Sequence, residues 1–188
     1  RPRLYMDIEQ ESKIVRRILS GQHDEYALLV EKYKGPVYNL VTRLTGRTQD
    51  AEDLAQEIFI KVFESLGRFD QTRKFFPWLY TIALNVIRNY RKKNAPVSIH
   101  SIEDSDHFEK STSSLSPDII TGRKQQADML HGCIQNLPET QQEAIVLRYF
   151  QDLSFEDIAK IQGISLSAAK MRVYRGLRVM AKRMKGAQ

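Results

Sequence analysis

The sequence predicts an all-α protein of two helical domains joined by a flexible linker. Apolar residues recur at helical spacing in several segments, and no segment shows the alternation typical of a β-strand. Between Pro96 and Pro117 the composition changes to Ser, Thr, Asp, Glu and His with few apolar residues, which is typical of a linker. The predicted units are therefore residues 8–94, a flexible acidic linker at 95–118, and residues 119–188.

Composition sets broad limits on function. The chain has 188 residues, of which 41% are hydrophobic, and this is enough for a packed core. Lys and Arg number 29 against 23 Asp and Glu, so the net charge of +6 suits a polyanionic partner without identifying one. Cys133 is the one cysteine, and its apolar neighbours predict a buried thiol. No apolar run has the length of a membrane span, so we expect a cytoplasmic protein without direct membrane insertion.

The first unit is predicted to contain two amphipathic helices before a basic one. Apolar spacing from Leu29 to Leu44 indicates the first, and Gly46 ends it. The second carries the buried stripe Ala51, Leu54, Ala55, Ile58, Val62 and Leu66. Its opposite face presents Asp50, Glu52, Asp53, Gln56 and Glu57. Because carboxylates repel DNA, this face meets either solvent or a basic protein partner.

The third helix of this unit is basic and aromatic. Pro77 fits its first turn, and no acidic residue occurs between Gln71 and Ile102. Aromatic rings interleaved with cations are typical of single-stranded DNA binding, in which bases stack on rings and phosphates pair with cations. The alternative is that the rings belong to the core, which we expect for Phe69, Phe75, Leu79 and Ile82. The candidates for DNA contact are Trp78, Asn85, Arg88, Asn89 and Arg91.

The second unit is predicted to end in a helix-turn-helix. Two helices are expected between Arg123 and Phe150, with a break at Pro138. A capping-box pattern of Ser154 and Asp157 starts a short helix, and Gly163 makes the turn to a longer one.

The last helix, capped by Ser165, is predicted to place a basic face outward. Its expected inward stripe is Leu166, Ala169, Val173 and Leu177, and no acidic residue occurs from Ile158 onward. Such a helix enters the major groove, where Arg or Lys pairs with guanine edges and phosphates. A solvated charged helix is the alternative. The candidate DNA-binding residues are Ser167, Lys170, Met171, Arg172, Tyr174, Arg175 and Arg178.

These segments resemble a known family in both composition and order. DAEDLAQEIFIKVFESLGRF followed by FFPWLYTIALNVIRNYRKK is similar to sigma regions 2.2 to 2.4 of the extracytoplasmic-function (ECF) group. LPETQQEAIVLRYFQDLSFEDIAKIQGISLSAAKMRVYRGLRVM is similar to sigma region 4. The resemblance covers nearly the whole chain outside the linker. It implies an ECF-type sigma factor, a promoter-reading subunit of bacterial RNA polymerase with no enzymatic chemistry of its own.

The resemblance implies a role for each face. The acidic face from Asp50 to Glu57 would dock the β′ coiled coil of core RNA polymerase, and region 4 would meet the β flap. The segment from Arg68 to Arg91 would open and read the minus-ten element, with the loop before Trp78 and the Asn85 side chain holding a flipped base. The last helix would read the minus-thirty-five element.

The resemblance also implies how such a factor is controlled. The expected partner is an anti-sigma factor that masks both DNA-binding units, in a stress or envelope response, and that in some cases holds the factor at the inner membrane face. No cofactor, metal ion or small-molecule substrate is implied. Met171 stands where relatives often carry a small polar residue, so the minus-thirty-five sequence preference stays open.

The linker has a suitable reach for two promoter elements. The 22 residues from Pro96 to Pro117 span roughly 70–80 Å when extended. That is about two turns of duplex at roughly 34–36 Å per turn.

Two other classes of protein, a helix-turn-helix regulator and an enzyme, are alternatives to the sigma factor. An ordinary helix-turn-helix regulator explains residues 119–188 but not the aromatic and basic helix of the first unit. An enzyme is disfavoured because the four histidines show no metal-ligand spacing and no phosphate loop or nucleophile motif occurs. The histidines are His23, His100, His107 and His131.

Overall fold

The computed structural model describes residues 8–94 and 122–186, and all regular structure in these ranges is helical, as predicted. The first unit contains α1 (Ile8–Leu19), α2 (Tyr26–Thr45), α3 (Ala51–Ser65) and α4 (Phe75–Asn94). The second unit contains α5 (Gly122–Gln135), α6 (Glu139–Tyr149), α7 (Phe155–Gln162) and α8 (Leu166–Gly186). The predicted linker, 95–118, lies outside the described residues. Among the described helices, none combines the length and apolarity that crossing a bilayer requires.

The first unit is built from α2, α3 and α4, which pack on one another, with α1 against α2. The buried stripe predicted for α3 is confirmed at every position: Ala51, Leu54, Ala55, Ile58, Val62 and Leu66. Phe69, Phe75 and Leu79 are also buried as expected, whereas Ile82 is half-buried. Gly46 ends α2 with φ at 68°, a left-handed conformation that residues with a Cβ adopt at a cost.

A buried carboxylate on α1 joins three helices of this unit. Glu11 is 2% exposed, and it accepts hydrogen bonds from the Tyr33 hydroxyl and, at 3.5 Å, from Lys32 Nζ. Its Oε2 also accepts the backbone N–H of Phe75 at 3.2 Å. That N–H belongs to the first turn of α4 and has no acceptor within its own helix. Burial holds the pKa of Lys32 below its ordinary value, although Glu11 opposes this shift.

The helix-turn-helix of the second unit is formed by α7 and α8, and its local signals are those expected. The Ser154 hydroxyl accepts the Asp157 N–H at 3.0 Å and caps α7. Gly163 takes a left-handed conformation with φ at 65° and makes the turn. The Ser165 hydroxyl then accepts the Ala168 N–H at 3.2 Å at the start of α8.

The inward face of α8 differs in part from the prediction. Ala169 and Val173 are fully buried, but Leu166 is 39% exposed and Leu177 is only half-buried. The buried positions that continue the stripe are Gly176 and Met180. The cause is the close approach of α6, because a Cβ on Gly176 would lie 2.9 Å from Ile145 Cγ1. A side chain therefore does not fit where α6 and α8 meet.

This close approach generates a prediction about two glycines of the second unit. Alanine is better than glycine in a helix by roughly 1 kcal/mol. Gly132 has open space around its Cα, so Gly132→Ala is expected to raise the free energy of unfolding by up to that amount. Gly176→Ala forces Ile145 to move, and such overpacking costs roughly 1–3 kcal/mol.

Chemical denaturation of both variants measures the difference. Gly176→Ala should be less stable than Gly132→Ala by about 1–3 kcal/mol, since the helix-propensity gain is common to both. Equal stability of the two variants would contradict the packing described for α6 and α8.

Candidate nucleic-acid interface

The outer face of α8 is open and basic. Of the seven candidate residues, Arg172 is half-buried and six are exposed: Ser167, Lys170, Met171, Tyr174, Arg175 and Arg178. The Phe155 ring at the start of α7 lies beneath this face, with the Tyr174 ring centroid at 6.2 Å and Lys170 Nζ at 6.0 Å. The arrangement offers exposed cations and hydrogen-bond donors on a helix that is long enough to lie in a major groove.

On α4 the candidate residues divide into two groups. Asn85 and Asn89 are exposed and lie one helical turn apart. Trp78 is half-buried, with its ring 5.1 Å from that of Phe69 and 5.5 Å from that of Phe75. The core therefore orients the Trp78 ring, and part of its surface remains accessible.

The other group on α4, Arg88 and Arg91, faces the second unit. Arg88 makes a bidentate pair with Glu143 of α6, with Nε–Oε1 at 2.8 Å and Nη2–Oε2 at 2.7 Å. Arg91 pairs with Glu139 at 3.1 Å and donates to Gln142 Oε1 at 2.7 Å. The hydrogen bond to Glu143 raises the pKa of Arg88 above the ordinary value for arginine, although burial has the opposite effect. Two predicted DNA-contacting cations are thus paired with α6.

The carboxyl end of α2 lies at the same junction. The last carbonyls of a helix lack partners within that helix, and a nearby cation is favoured there by the helix dipole. Gln135 Nε2 donates to the Arg43 carbonyl at 2.6 Å, and Gln142 Nε2 reaches the same oxygen at 3.4 Å. Arg91 donates to the Leu44 carbonyl. Side chains from both units therefore cap α2.

Further contacts from α2, α4 and the loop before α4 extend the junction between the two units. The Tyr80 hydroxyl donates to Gln151 Oε1 at 2.7 Å in a buried position. Lys74 Nζ lies 3.8 Å from Asp157 Oδ2, and the Arg43 guanidinium stacks 3.7 Å above the centroid of the Phe150 ring. The buried residues of the two units form one continuous core. In this structure the two units are packed together.

The acidic face of α3 is exposed, with one exception. Glu52, Asp53, Gln56 and Glu57 all face solvent. Asp50 is half-buried, and its carboxylate accepts a hydrogen bond from the Tyr90 hydroxyl of α4. This bond is the main reason that the pKa of Tyr90 is raised.

Two exposed apolar residues on α3 were missed by the sequence reasoning. Ile60 is 58% exposed and lies one turn after Gln56, and Phe63 is 39% exposed and follows Ile60 on the same side. The Phe63 ring meets the Tyr26 ring at a centroid distance of 5.0 Å. The available signal was that both residues fall outside the buried stripe of this helix. The α3 surface therefore combines carboxylates with an apolar patch.

The loop before α4 is held from α1, which the sequence reasoning also missed. The Ser12 hydroxyl donates to the Gln71 carbonyl at 2.6 Å, and Arg16 Nε donates to Gln71 Oε1 at 3.0 Å. Within the loop, the Asp70 carboxylate accepts both the hydroxyl and the N–H of Thr72. These bonds are the main reason that the pKa of Asp70 lies below its ordinary value. No sequence pattern marks such contacts.

Comparison with known proteins assigns both units. The family model for Sigma-70 region 2 matches residues 29–96, and that for Sigma-70 region 4 matches residues 127–180. The RNA polymerase sigma-H factor of Pseudomonas aeruginosa is 35% identical over 173 residues, which cover 89% of this chain and 90% of that protein. The ECF RNA polymerase sigma-E factor of Escherichia coli K12 is 30% identical over 86% of this chain and 87% of its own length.

Solved structures share the fold. CnrH in complex with the cytosolic domain of CnrY superposes with a TM-score of 0.71 at 20% identity, covering 97% of this chain and all of that one. The sigma factor RpoE in complex with the anti-sigma factor NepR, from Bartonella quintana, gives a TM-score of 0.63 at 21% identity. That match covers 86% of this chain and 97% of the other.

The buried carboxylate beneath this site generates a prediction. Glu11→Ala removes the acceptor of the Phe75 N–H and leaves the Lys32 ammonium, whose side chain is 16% exposed, without its carboxylate. Breaking a buried pair by removing one partner costs roughly 3–5 kcal/mol, and we expect a loss of stability in that range.

The matched control is Glu9→Ala, two residues earlier on α1. Glu9 pairs with Lys13 at 2.7 Å, but its side chain is 70% exposed, so its removal should cost far less stability than the loss of Glu11. Chemical denaturation of the full chain compares the two variants. A similar loss in both would show that Glu11 does not join the helices as described.

Proposed function

The chain belongs to the sigma-70 family as a factor of the ECF type, and we propose from this premise that it directs core RNA polymerase to specific promoters and melts them. Its family makes it a transcription initiation factor and not an enzyme. A simple helix-turn-helix regulator accounts only for the region 4 match, so region 2 favours the sigma factor over that alternative. The observation that carries the proposal is the pairing of two DNA-binding units in one chain.

We assign the minus-thirty-five element to α8. Its outer face has exposed Lys170, Arg175 and Arg178 with no acidic residue on the helix. Arg and Lys read guanine through its major-groove edge and also pair with phosphates. Tyr174 and Met171 are exposed beside them and add apolar surface for contact with thymine methyl groups. The Gly163 turn and the Ser165 cap join this helix to α7, and the second helix of a helix-turn-helix is the one that enters the major groove.

We assign the minus-ten element to α4 and the loop before it. Melted bases need aromatic faces, polar edges and nearby cations. Trp78 offers a ring held by the core, Asn85 and Asn89 offer exposed amides, and the carboxyl end of the helix is basic. The loop from Asp70 to Lys74 is shaped by its own hydrogen bonds and held by α1, which suits a pocket for one flipped base.

We assign the docking of core polymerase to α3. Glu52, Asp53, Gln56 and Glu57 form a charged stripe, and Ile60 and Phe63 continue it as an apolar patch. Exposed apolar side chains next to charged ones are typical of specific protein–protein interfaces, in which the apolar part is buried and the charged part stays at the edge. The occupant that the family implies is the coiled coil of the β′ subunit, with the β flap binding region 4.

We further propose control by an anti-sigma factor. The Bartonella quintana sigma factor of similar fold was solved with the anti-sigma factor NepR. For this chain the same type of partner would act in the cytoplasm, where polymerase and promoters are, and would cover the α3 or α8 surface until a stress signal releases it. Co-purification of the chain with such a partner from its host, before and after envelope stress, tests this assignment.

The docking assignment predicts the effect of a double charge reversal. Asp53→Lys with Glu57→Lys replaces two exposed carboxylates one helical turn apart and should abolish co-elution with core polymerase. The fold should survive, because exposed substitutions usually change stability by less than about 0.5 kcal/mol. The control is Glu9→Lys with Glu31→Lys, which makes the same change in net charge on α1 and α2. Equal binding by both double variants would refute the α3 docking surface.

The minus-ten assignment predicts a defect in promoter opening. Melting requires the unpaired bases to be held, and in this assignment the Asn85 amide binds one of them. Asn85→Ala should therefore reduce the permanganate-reactive thymines near the start site. Closed complexes at the minus-thirty-five element should be unaffected. A template mismatched across the minus-ten region has already lost its pairing and should restore part of the activity.

The matched control for this substitution is Asn94→Ala at the end of the same helix. The Asn94 amide is exposed and donates to the Tyr90 carbonyl one turn before it. Normal opening of duplex promoters by Asn85→Ala, equal to that of Asn94→Ala, would remove Asn85 from the minus-ten site.

A further inference from the structure

The loop before α4, residues 70–74, is attached to α1 near both of its ends, and we call it the minus-ten loop. Near its start, the buried Ser12 hydroxyl donates to the Gln71 carbonyl at 2.6 Å. At its end, the Glu11 carboxylate accepts the N–H of Phe75 at 3.2 Å. The backbone of the loop therefore has a fixed position relative to α1.

Arg16 fixes the orientation of the Gln71 side chain as well. Arg16 lies one helical turn after Ser12 on the same face of α1, and its Nε–H donates to Gln71 Oε1 at 3.0 Å. Because an arginine side chain has donors and no acceptor, the amide atom that meets it has to be the oxygen. The Nε2 group of Gln71 then lies on the other side of the amide.

This nitrogen is a hydrogen-bond donor that the protein leaves available. Gln71 is half-buried, and its Nε2 is not buried away from solvent. No acceptor for it occurs in the part of the chain that the structure describes. The neighbouring Asp70 carboxylate is not such an acceptor, because it accepts both donors of Thr72 and pairs with Arg73 at 3.0 Å. The donor of Gln71 is therefore free for a ligand.

The minus-ten loop starts and ends at the aromatic ring assigned to stacking. The Phe69 ring just before the loop lies 5.1 Å from that of Trp78, and the Phe75 ring just after it lies 5.5 Å from the same ring. A base held by the loop therefore meets the Gln71 donor within a frame that the core and α1 have already fixed.

A donor whose partner atom is already occupied discriminates among bases. A glutamine amide that is free to use both of its atoms pairs with adenine in a bidentate manner, since adenine offers an acceptor beside the N6 donor. With its oxygen held by Arg16, the Gln71 amide offers its N–H donors, and these suit a carbonyl oxygen. Thymine, cytosine and guanine each carry a carbonyl oxygen, whereas adenine carries none.

We propose that Gln71 is a specificity-determining residue of the minus-ten loop, which donates to a carbonyl oxygen of the flipped base and disfavours adenine. Arg16 is the positioning residue that sets this preference, because it occupies the amide oxygen that adenine would need. The proposal rests on the proposed function, in which this loop holds one flipped base, and it adds the chemical class of base that the loop accepts.

The experiment uses core polymerase with the full chain and a duplex promoter that the wild-type protein opens. Each position of the minus-ten element is changed in turn to thymine and to adenine on the non-template strand, and heparin-resistant open complexes are measured. The quantity compared is the ratio of opening on the thymine template to opening on the adenine template. Because one protein serves both templates, a change in the amount of folded protein cancels in this ratio.

Substitutions at Gln71 should change the ratio at one position of the element. Gln71→Leu removes the donor and should lower the ratio by roughly threefold to tenfold, the size of one hydrogen bond. Gln71→Glu keeps a partner for Arg16 but presents an acceptor in place of the donor, so it should favour adenine through its N6 donor.

Substitutions on α1 test the positioning role. Arg16→Leu frees the amide oxygen of Gln71, so opening on the adenine template should rise and the ratio should fall at the same position. Arg16→Lys retains a donor for that oxygen and should restore the ratio. The matched control is Arg17→Leu, since Arg17 is also exposed but donates to Glu25 at 3.0 Å and should leave the ratio unchanged.

The other outcomes separate this proposal from the minus-ten assignment on which it rests. An equal loss of opening on both templates in Gln71→Leu would show that the amide only supports the loop, and would overturn the reading of a base by Gln71. A wild-type ratio at every position would overturn it as well. An Arg16→Leu ratio equal to that of Arg17→Leu would overturn the positioning role. Failure of the minus-ten assignment itself is a different result, namely normal opening by Asn85→Ala.

Discussion

A partly desolvated arginine needs a carboxylate or a carbonyl beside it, and this constraint organises the junction of the two units. Arg88 and Arg91 lie on the side of α4 that faces the second unit, and their side chains are 32% and 18% exposed. Their partners are the carboxylates of α6 and the backbone carbonyls at the carboxyl end of α2. Burying such groups is favourable only when every donor and acceptor is matched. The positions of α2, α4 and α6 are therefore linked, and a shift in one leaves charges unpaired in the others.

Charge is segregated among the faces of the molecule in a way that fits its partners. The α3 face is acidic, and the exposed faces of α4 and α8 are basic. The basic faces therefore attract DNA, whereas the acidic face repels DNA and attracts a basic protein surface. The α6 carboxylates Glu139 and Glu143 lie against the cations of α4, in the junction between the two units. These carboxylates partly neutralise the basic surface of α4 where the two units meet.

The hydrogen bonds from α1 show how a region distant in sequence shapes the proposed minus-ten surface. Glu11 supplies the acceptor for the first turn of α4, and Ser12 and Arg16 hold Gln71 in the loop before it. The loop is thus positioned by hydrogen bonds that span 55 to 64 residues. Rigid support of this kind is what precise contact with a single base requires.

The sequence by itself determined α2 to α8 and several of their caps, whereas α1 was not predicted. The α3 stripe, the Ser154 cap and the Gly163 turn were predicted correctly because each depends on neighbours within one or two helical turns. The outer faces of α3 and α8 were also predicted, since periodicity separates buried from exposed positions. Tertiary structure decided which long-range partners each face meets. Arg88 was assigned to DNA from its local composition, and its pairing with Glu143, 55 residues away, depends on how two separate helices pack. For the same reason the buried position at the α6 contact is Gly176 and not the predicted Leu177. Packing likewise decided that Glu11 joins α1 to α2 and α4. Local periodicity specifies which side of a helix is buried, but only packing specifies what lies against it.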